Sequence, residues 1–97
     1  MAVRVPQIVD ISTAIRLYYA RIELSNSDIR ELFGRIGSSR IVQLKDLAKK
    51  RMIERNRPYY NAMYVNTEDA FEAWGLDIGE LERRYAKLRK MGLMEEN

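Results

Sequence analysis

The stretch LFGRIGSSRIVQLKDLAKK, residues 32–50, decides how the fold of this chain is interpreted. An apolar run ends at Gly34, a single Ile36 stands in the connection that follows, and two serines precede a basic run. A glycine after a helical pattern and a serine before one are typical of a helix end and a helix start. The stretch therefore predicts two helices joined by a short turn. The second helix either packs and does no more, or lays an outward face against a nucleic acid.

Helical periodicity gives the predicted second helix two different sides, since each residue advances about 100° around the axis. Its apolar side is formed by Ile41, Leu44, Leu47 and Ala48. Its outward side is formed by Ser39, Val42, Gln43, Asp46, Lys49 and Lys50. Arg40 lies at the flank of the outward side. A helix with one apolar and one polar side is expected to pack on a core and keep its polar side in solvent.

Positive charge is concentrated in the middle of the chain. Residues 35–57 carry eight basic and two acidic side chains, a net charge of +6. Residues 1–34 are neutral overall, and residues 58–97 have a net charge of −3. A local positive field of this kind indicates a surface that faces a polyanion. The alternative is a solvated basic helix face without a partner.

Composition excludes several classes of function. The 97 residues predict one domain, residues 1–97, with 46% hydrophobic and 32% charged side chains, as in ordinary globular proteins. The chain has no cysteine and no histidine, which are the most common nucleophiles, general bases and transition-metal ligands. We therefore expect neither an enzyme nor a metal or cofactor site. With no signal-peptide pattern at the N-terminus and no apolar run of about 20 residues, we expect a cytoplasmic protein without membrane contact.

One more helix is predicted before the opening stretch, and the second helix of that stretch can be given bounds. Apolar residues recur at spacings of three and four and predict an amphipathic helix over residues 8–22. These residues are Ile8, Ile11, Ile15, Tyr18 and Ile22. The helix after the two serines is expected to be capped by Ser38 or Ser39 and to reach about Arg51 or a few residues beyond.

The helix that ends at Gly34 has a complete start signal. Ser25 and Asp28 have the spacing of a capping box, in which each side chain bonds to the other residue's backbone N–H. Leu24 and Ile29 flank the cap as a hydrophobic staple. Gly34 is expected to end this helix in a left-handed conformation.

Two further helices are predicted in the C-terminal third. Asn66 or Thr67 is expected to cap the first, which Gly75 ends. Asp77 is expected to cap the second, over Ile78 to Lys90. The expected fold is therefore mainly α, a helix-turn-helix bundle of four to five helices, with or without a short two-stranded β wing.

Residues 52–65 leave two alternatives open. Pro58 disfavours a helical conformation at Arg57, and the tyrosine-rich segment 59–65 favours strands. We prefer a short two-stranded wing. The other interpretation is a helix that reaches Arg55 and is followed by an extended linker.

The segment DIRELFGRIGSSRIVQLKDL, residues 28–47, resembles the helix-turn-helix of DNA-binding proteins. In that family a first helix supplies apolar anchors, for which Ile29 and Phe33 are the matching residues. Gly34 matches the glycine of the turn, and Ile36 matches the apolar residue that plugs the space behind it. The resemblance covers about a quarter of the chain.

Two departures from the family pattern direct the resemblance towards its winged members. Arg30 stands where the family usually has Ala or Gly, and the turn is one residue longer than in the tightest form. If residues 52–65 form a hairpin, the resemblance to small winged regulators and to accessory proteins of phages or mobile elements is stronger. The resemblance thus implies binding to double-stranded DNA, as a transcriptional regulator or as such an accessory protein.

The resemblance also implies which residues contact DNA, since the helix at about residues 38–51 becomes the recognition helix in the major groove. Gln43 can read adenine, Val42 can touch a thymine methyl, and basic side chains can pair with phosphates. The expected DNA-binding residues are Arg35, Ser38, Ser39, Arg40, Val42, Gln43, Lys49, Lys50, Arg55 and Arg57.

The last predicted helix carries a second apolar stripe, formed by Ile78, Leu81, Tyr85 and Leu88. This stripe predicts a homodimer seam, which would suit a palindromic DNA site, or packing on the domain's own core. Two other functions remain open besides DNA binding. One is a protein-interaction adaptor that uses the basic and acidic helix faces, and the other is an RNA-binding protein that stacks bases on tyrosines.

Overall fold

The computed structural model describes residues 5–57 and 63–92. Within those two ranges the chain forms five helices and two short strands. The helices are α1 (Ile11–Ala20), α2 (Asn26–Phe33), α3 (Ser38–Glu54), α4 (Thr67–Ala73) and α5 (Ile78–Lys90). The strands are β1 (Glu23–Leu24) and β2 (Val65–Asn66), which pair in the antiparallel sense. The predicted mainly α bundle with a small two-stranded sheet is confirmed.

Helix α1 is shorter than the predicted range 8–22. The carboxylate of Asp10 accepts a hydrogen bond from the backbone N–H of Thr13 at 2.7 Å, which starts the helix at Ile11. At the other end, Ile22 is 84% exposed, and its carbonyl accepts a hydrogen bond from the N–H of Thr67. The predicted bounds are wrong at both ends because a side-chain cap and a strand pairing compete with the apolar periodicity.

The capping box at the start of α2 is confirmed. The Ser25 hydroxyl accepts from the Asp28 N–H at 3.2 Å, and the Asp28 carboxylate accepts from the Ser25 N–H at 3.0 Å. Leu24 and Ile29, the predicted staple pair, are both fully buried. Gly34 ends the helix with a positive φ of 84°, as expected, but its ψ of −155° lies outside the left-handed helical region. Glycine alone adopts that combination readily.

Helix α3 begins one residue earlier than a serine cap would place it. Gly37 is the N-cap and offers no side-chain hydrogen bond, so the prediction that Ser38 or Ser39 caps the helix is wrong. Both serines lie inside the first turn. Serine and glycine are both common at this position, and the sequence pattern does not separate them. The helix continues to Glu54, a few residues past Arg51, as the prediction allowed.

The small sheet differs from the wing predicted for residues 52–65. Residues 52–54 form the last turn of α3, and β2 pairs with β1, which precedes α2 in the chain. Met52 is only 4% exposed, so the helix buries one more apolar side chain where a wing strand was expected. The helical interpretation of residues 52–54 is therefore correct. Residues 58–62, where the turn of the wing was expected, lie outside the described residues.

The signals for α4 and α5 are confirmed. Asn66 caps α4 by accepting from the N–H of Asp69 at 3.0 Å, and Gly75 follows the helix with a φ of 75°. Asp77 caps α5 by accepting from the N–H of Glu80 at 3.2 Å. The predicted bounds of α5 agree with the observed ones.

The core fixes the position of the turn between α2 and α3. Helix α3 packs most extensively on α4, and α1 packs on α5. The ring of Phe33 meets Trp74 edge-on with centroids 5.3 Å apart, and the Trp74 indole N–H donates to the carbonyl of Leu44 at 2.8 Å. Ile36, the predicted plug, is half-buried against the core. The end of α2 and the middle of α3, which flank the turn, are thus anchored to the same buried tryptophan.

Candidate nucleic-acid interface

One side of α3 is buried and the other is open to solvent, as the periodicity predicts. Its buried residues are Ile41, Leu44, Lys45, Ala48 and Met52. The α3 outer face consists of the remaining residues between positions 38 and 50 other than the half-buried Leu47: Ser38, Ser39, Arg40, Val42, Gln43, Asp46, Lys49 and Lys50. All of them are exposed except Arg40 and Lys49, which are half-buried at the two edges. The predicted outward side is therefore confirmed as a surface.

Lys45 is a basic residue whose burial no local sequence pattern predicts. It is 8% exposed, and its ammonium donates to the side-chain oxygen of Asn26 and to the carbonyl of Met63, both at 3.0 Å. These bonds satisfy a charged group that would otherwise be costly to bury. Lys45 thus joins the start of α2 to the segment before β2, and its charge is turned away from the α3 outer face.

The N-terminal end of the α3 outer face carries no side-chain cap. Ser38 and Ser39 are both exposed in the first turn, after the N-cap Gly37. The first N–H groups of a helix have no partner within the helix and point along its axis. Exposed hydroxyl and N–H donors therefore lie together at this end, and Arg35 is exposed in the turn just before it.

The arginines at the other end of the basic segment are held by α4. We call this group the arginine–carboxylate cluster. It comprises Arg51, Arg55 and Arg57 with Glu68, Asp69 and Glu72. Arg51 also pairs with Glu54 of its own helix at 3.4 Å, so the three cations face four carboxylates and add no excess positive charge.

Asp69 is the centre of the cluster. It is fully buried, and it accepts from Arg55 Nη1 at 3.1 Å and from Arg57 Nε at 2.5 Å. Glu72 pairs with Arg55 as well and lies 3.3 Å from Arg51 Nη2. Burial would lower the pKa of Arg55, but its hydrogen bond to Glu72 and the two carboxylate charges hold that pKa above the ordinary value. Arg55 and Arg57 are thus bound by carboxylates of α4.

The structure therefore divides the segment of net charge +6 into two parts. Four cations remain on or beside the α3 outer face: Arg35, Arg40, Lys49 and Lys50. The other four are Lys45, which is buried, and the three arginines of the cluster. Of the expected DNA-binding residues, Arg55 and Arg57 are thus not brought together with the others. Counting charges along the sequence could not show that Arg55 and Arg57 are paired, because their carboxylate partners follow them by 11 to 17 residues.

Arg30, which departs from the family pattern, and Asp46, the carboxylate of the predicted outward side, both lie on the surface. Arg30 is exposed on α2, so no close approach of another helix requires a small residue there. Asp46 is exposed in the middle of the α3 outer face, and no ion pair with Lys50 forms among the described residues. The face thus presents three cations and one carboxylate, and Arg35 adds a fourth cation in the turn beside it.

The apolar stripe of α5 packs against the chain itself. Leu81 is 9% exposed, and Ile78, Tyr85 and Leu88 are half-buried. The hydroxyl of Tyr19 on α1 donates to the carboxylate of Glu82 at 2.8 Å beside this contact. The alternative of packing on the domain's own core therefore accounts for the stripe, and a homodimer seam stays a prediction.

Metal sites, membrane-spanning helices and clefts would point to other classes of function in the described part of the chain. No cluster of acidic residues there could hold a metal ion, and none of its helices has the length and apolar composition needed to cross a bilayer. A cleft of about 480 Å³ lies between α1, α4 and the start of α5. Tyr18 lines it, and burial together with nearby Glu68 and Glu72 raises the pKa of its phenol, so that the hydroxyl is neutral at physiological pH.

Comparisons with protein-family models, with curated protein sequences and with solved structures gave no significant match. The helix-turn-helix resemblance accordingly stays a prediction from the residues.

Proposed function

We propose that this protein binds double-stranded DNA by placing the α3 outer face in the major groove, as a transcriptional regulator or as an accessory protein of a phage or mobile element. One observation carries the proposal. On the side of α3 that the core leaves open, and in the turn just before it, four cations lie with one carboxylate, while the other basic residues of the segment are buried or paired with carboxylates of α4.

The chemistry of the face suits a duplex. Ser38 and Ser39, with the uncapped N–H groups of the first turn, can donate to a phosphate. Gln43, one turn further, can bond an adenine edge through both atoms of its amide, and Val42, 56% exposed, can contact a thymine methyl. Removing the apolar side chain of Val42 from water is favourable, so a thymine methyl group in the groove is a suitable contact for it.

The four cations Arg35, Arg40, Lys49 and Lys50 would pair with phosphates along both sides of the groove. Asp46 lies among them, where phosphate would repel its carboxylate and where that carboxylate could accept a hydrogen bond from a cytosine amino group. The proposal therefore includes a base preference at the centre of the site. Arg55 and Arg57 are left out of it, because their guanidinium groups already bind Asp69.

Other functions have less support from the geometry. An adaptor would need free acidic faces, but Glu68, Asp69 and Glu72 bind arginines, Glu80 pairs with Arg84 and Glu82 accepts from Tyr19. An RNA-binding protein would need an array of exposed aromatic rings. Of the tyrosines in the described ranges, Tyr19 on α1 and Tyr64 just before β2 are exposed, at 64% and 38%, and no ring contact between the two is found there.

A salt titration against a mixed-sequence duplex tests the proposal. If all four cations contact phosphates, the logarithm of the affinity falls with the logarithm of salt concentration with a slope of about −3.6 or steeper. Replacing two of them, in Arg35→Glu with Lys50→Glu, should reduce the slope by about 1.8. Arg16→Glu with Arg30→Glu is the matched control, since it changes net charge equally on α1 and α2. Equal effects of the two pairs, or no binding in low salt, would refute the proposal.

A further inference from the structure

A second basic surface lies on α5, in the part of the sequence whose total charge is acidic. Residues 83–90 contain five basic and no acidic side chains. Arg84 pairs with Glu80 at 3.3 Å, and the guanidinium of Arg89 lies 5.7 Å from the ring centroid of Tyr85. Two of the five are therefore engaged on the helix itself.

The other three, Arg83, Lys87 and Lys90, form what we call the α5 basic stripe. They are spaced by four and three residues, so they share one face of the helix. All three are exposed, and none of them forms an ion pair within the described ranges. Their face points away from Leu81, which anchors α5 in the core. The stripe extends over seven residue steps, about 10 Å of helix.

Contacts through the start of α1 connect Lys87 of this stripe to the turn before α3. Lys87 and Leu88 line a shallow groove of about 340 Å³ together with Ile11, the first residue of α1. Val9 lies two residues before Ile11, so the Cα atoms of the two residues are at most about 7 Å apart. The N–H of Val9 donates to the carbonyl of Leu32 at 2.9 Å.

Val9 also touches the turn that leads into α3. A Cβ atom at Gly34 would lie 3.1 Å from Cγ1 of Val9, so the Val9 side chain lies against the backbone of Gly34. Arg35, the first cation of the DNA-facing set, follows Gly34 directly. The end of α5, the start of α1 and the turn before α3 are thus in continuous contact.

We propose that the α5 basic stripe is a second phosphate-binding surface, which contacts the backbone of the same DNA duplex beside the groove that α3 occupies. This inference rests on the proposed function of α3. A duplex presents about one negative charge per 1.7 Å of its axis, so a stripe of about 10 Å meets several phosphates. Contacts of this kind position a protein on the duplex without reading its sequence.

The simplest other role of these residues is local. Cations in the last turn of a helix stabilise it by interacting with the helix dipole. That role would change thermal stability and leave DNA binding untouched. An apolar groove edged by Arg84 and Lys87 would also suit an anionic lipid surface. The test therefore measures DNA affinity, melting temperature and vesicle binding on the same variants.

The experiment compares Lys87→Gln with Lys90→Gln against the control pair Arg16→Gln with Arg30→Gln, using the full chain and a 24-base-pair mixed-sequence duplex. Losing two phosphate contacts should reduce the salt slope by about 1.8. Between 50 and 200 mM salt, the unchanged protein should then lose about 12-fold more affinity than the stripe variant. The control pair should keep the original slope, and Lys87→Arg with Lys90→Arg should restore it.

Each contrary outcome has a separate meaning. If the stripe variant keeps the full slope while Arg35→Glu with Lys50→Glu loses binding, the second surface is refuted and the role of α3 stands. If neither variant changes binding, both proposals fail. If the stripe variant loses binding only to vesicles of three parts phosphatidylcholine to one part phosphatidylserine, the surface serves a membrane and the inference is wrong. A lower melting temperature with an unchanged slope would assign the stripe to helix stability alone, which also overturns it.

Discussion

Replacing Asp69 tests whether the arginine–carboxylate cluster holds α3 to α4. Asp69→Asn keeps the size of the side chain and removes the charge that Arg55 and Arg57 bind at 3.1 and 2.5 Å. Hydrogen bonds to charged groups contribute about 1.5–3 kcal/mol each, and breaking a fully buried pair costs about 3–5 kcal/mol. The arginine side chains are 39% and 33% exposed, so water and the two neighbouring glutamates compensate in part.

We therefore expect Asp69→Asn to lower the free energy of unfolding by about 2–3 kcal/mol. In a domain of this size that corresponds to a fall in melting temperature of roughly 10–20 °C. Urea unfolding followed by circular dichroism at 222 nm measures both the midpoint and the slope. Glu68→Gln is the control, because its carboxylate is 61% exposed and lies 3.4 Å from Arg57. Such a surface pair contributes about 0–1 kcal/mol.

Comparing the two variants shows whether the buried carboxylate stabilises the fold more than an exposed carboxylate of the same cluster. A loss for Asp69→Asn no larger than that for Glu68→Gln would show that the cluster does not hold α3 and α4 together. In that case the arginines would be available to a nucleic acid, and their exclusion from the DNA-facing set would be wrong.

Three smaller predictions concern the turn, the first cap and the core. Gly34→Ala should lower the free energy of unfolding by about 1–3 kcal/mol, since a Cβ there meets Val9 at a positive φ, whereas Gly75→Ala, where a Cβ has open space, should cost only about 1 kcal/mol. Chemical denaturation of both variants checks the difference. The hydrogen bonds from the Thr13 N–H and then from Ser12 hold the pKa of Asp10 below its ordinary value. Its stabilising effect is thus present above the unfolded-state pKa of about 3.9 and is lost as pH falls through the lower folded value. Melting temperatures of Asp10→Asn and the unchanged protein, measured from pH 2 to 6, should converge at the acid end. Trp74→Phe removes the indole donor to Leu44 and leaves space in the core, with an expected loss of about 1–3 kcal/mol by urea unfolding. No loss in that variant would mean that the tryptophan does not anchor α3.

Helix signals that are local in sequence predicted most of the fold. Ser25 with Asp28, and Asp77 before α5, cap their helices as expected because the partners of each cap lie within three residues. The position of the two-stranded sheet was predicted wrongly for the opposite reason, because its strands are not close in the sequence. Strand pairing of Leu24 with Val65 joins residues far apart in the chain, and no local pattern encodes such a register.

The candidate site could be predicted in part. Periodicity alone identified the sides of α3, because burial of Ile41 and Leu44 fixes where Gln43 and Lys50 point. It could not identify the burial of Lys45, whose two acceptors come from α2 and from the segment before β2. The fate of a basic side chain depends on partners that only the folded chain brings near.

Amide chemical shifts of the uniformly ¹⁵N-labelled protein, titrated with a mixed-sequence duplex in low salt, test the central proposal most directly. If the α3 outer face enters the groove, the largest shifts fall on residues 35–50, with Gln43 and Lys50 among them, and Glu68 and Glu72 of α4 change little. The proposal is contradicted if the duplex leaves residues 35–50 unshifted, or if the shifts concentrate on the cleft beside Tyr18.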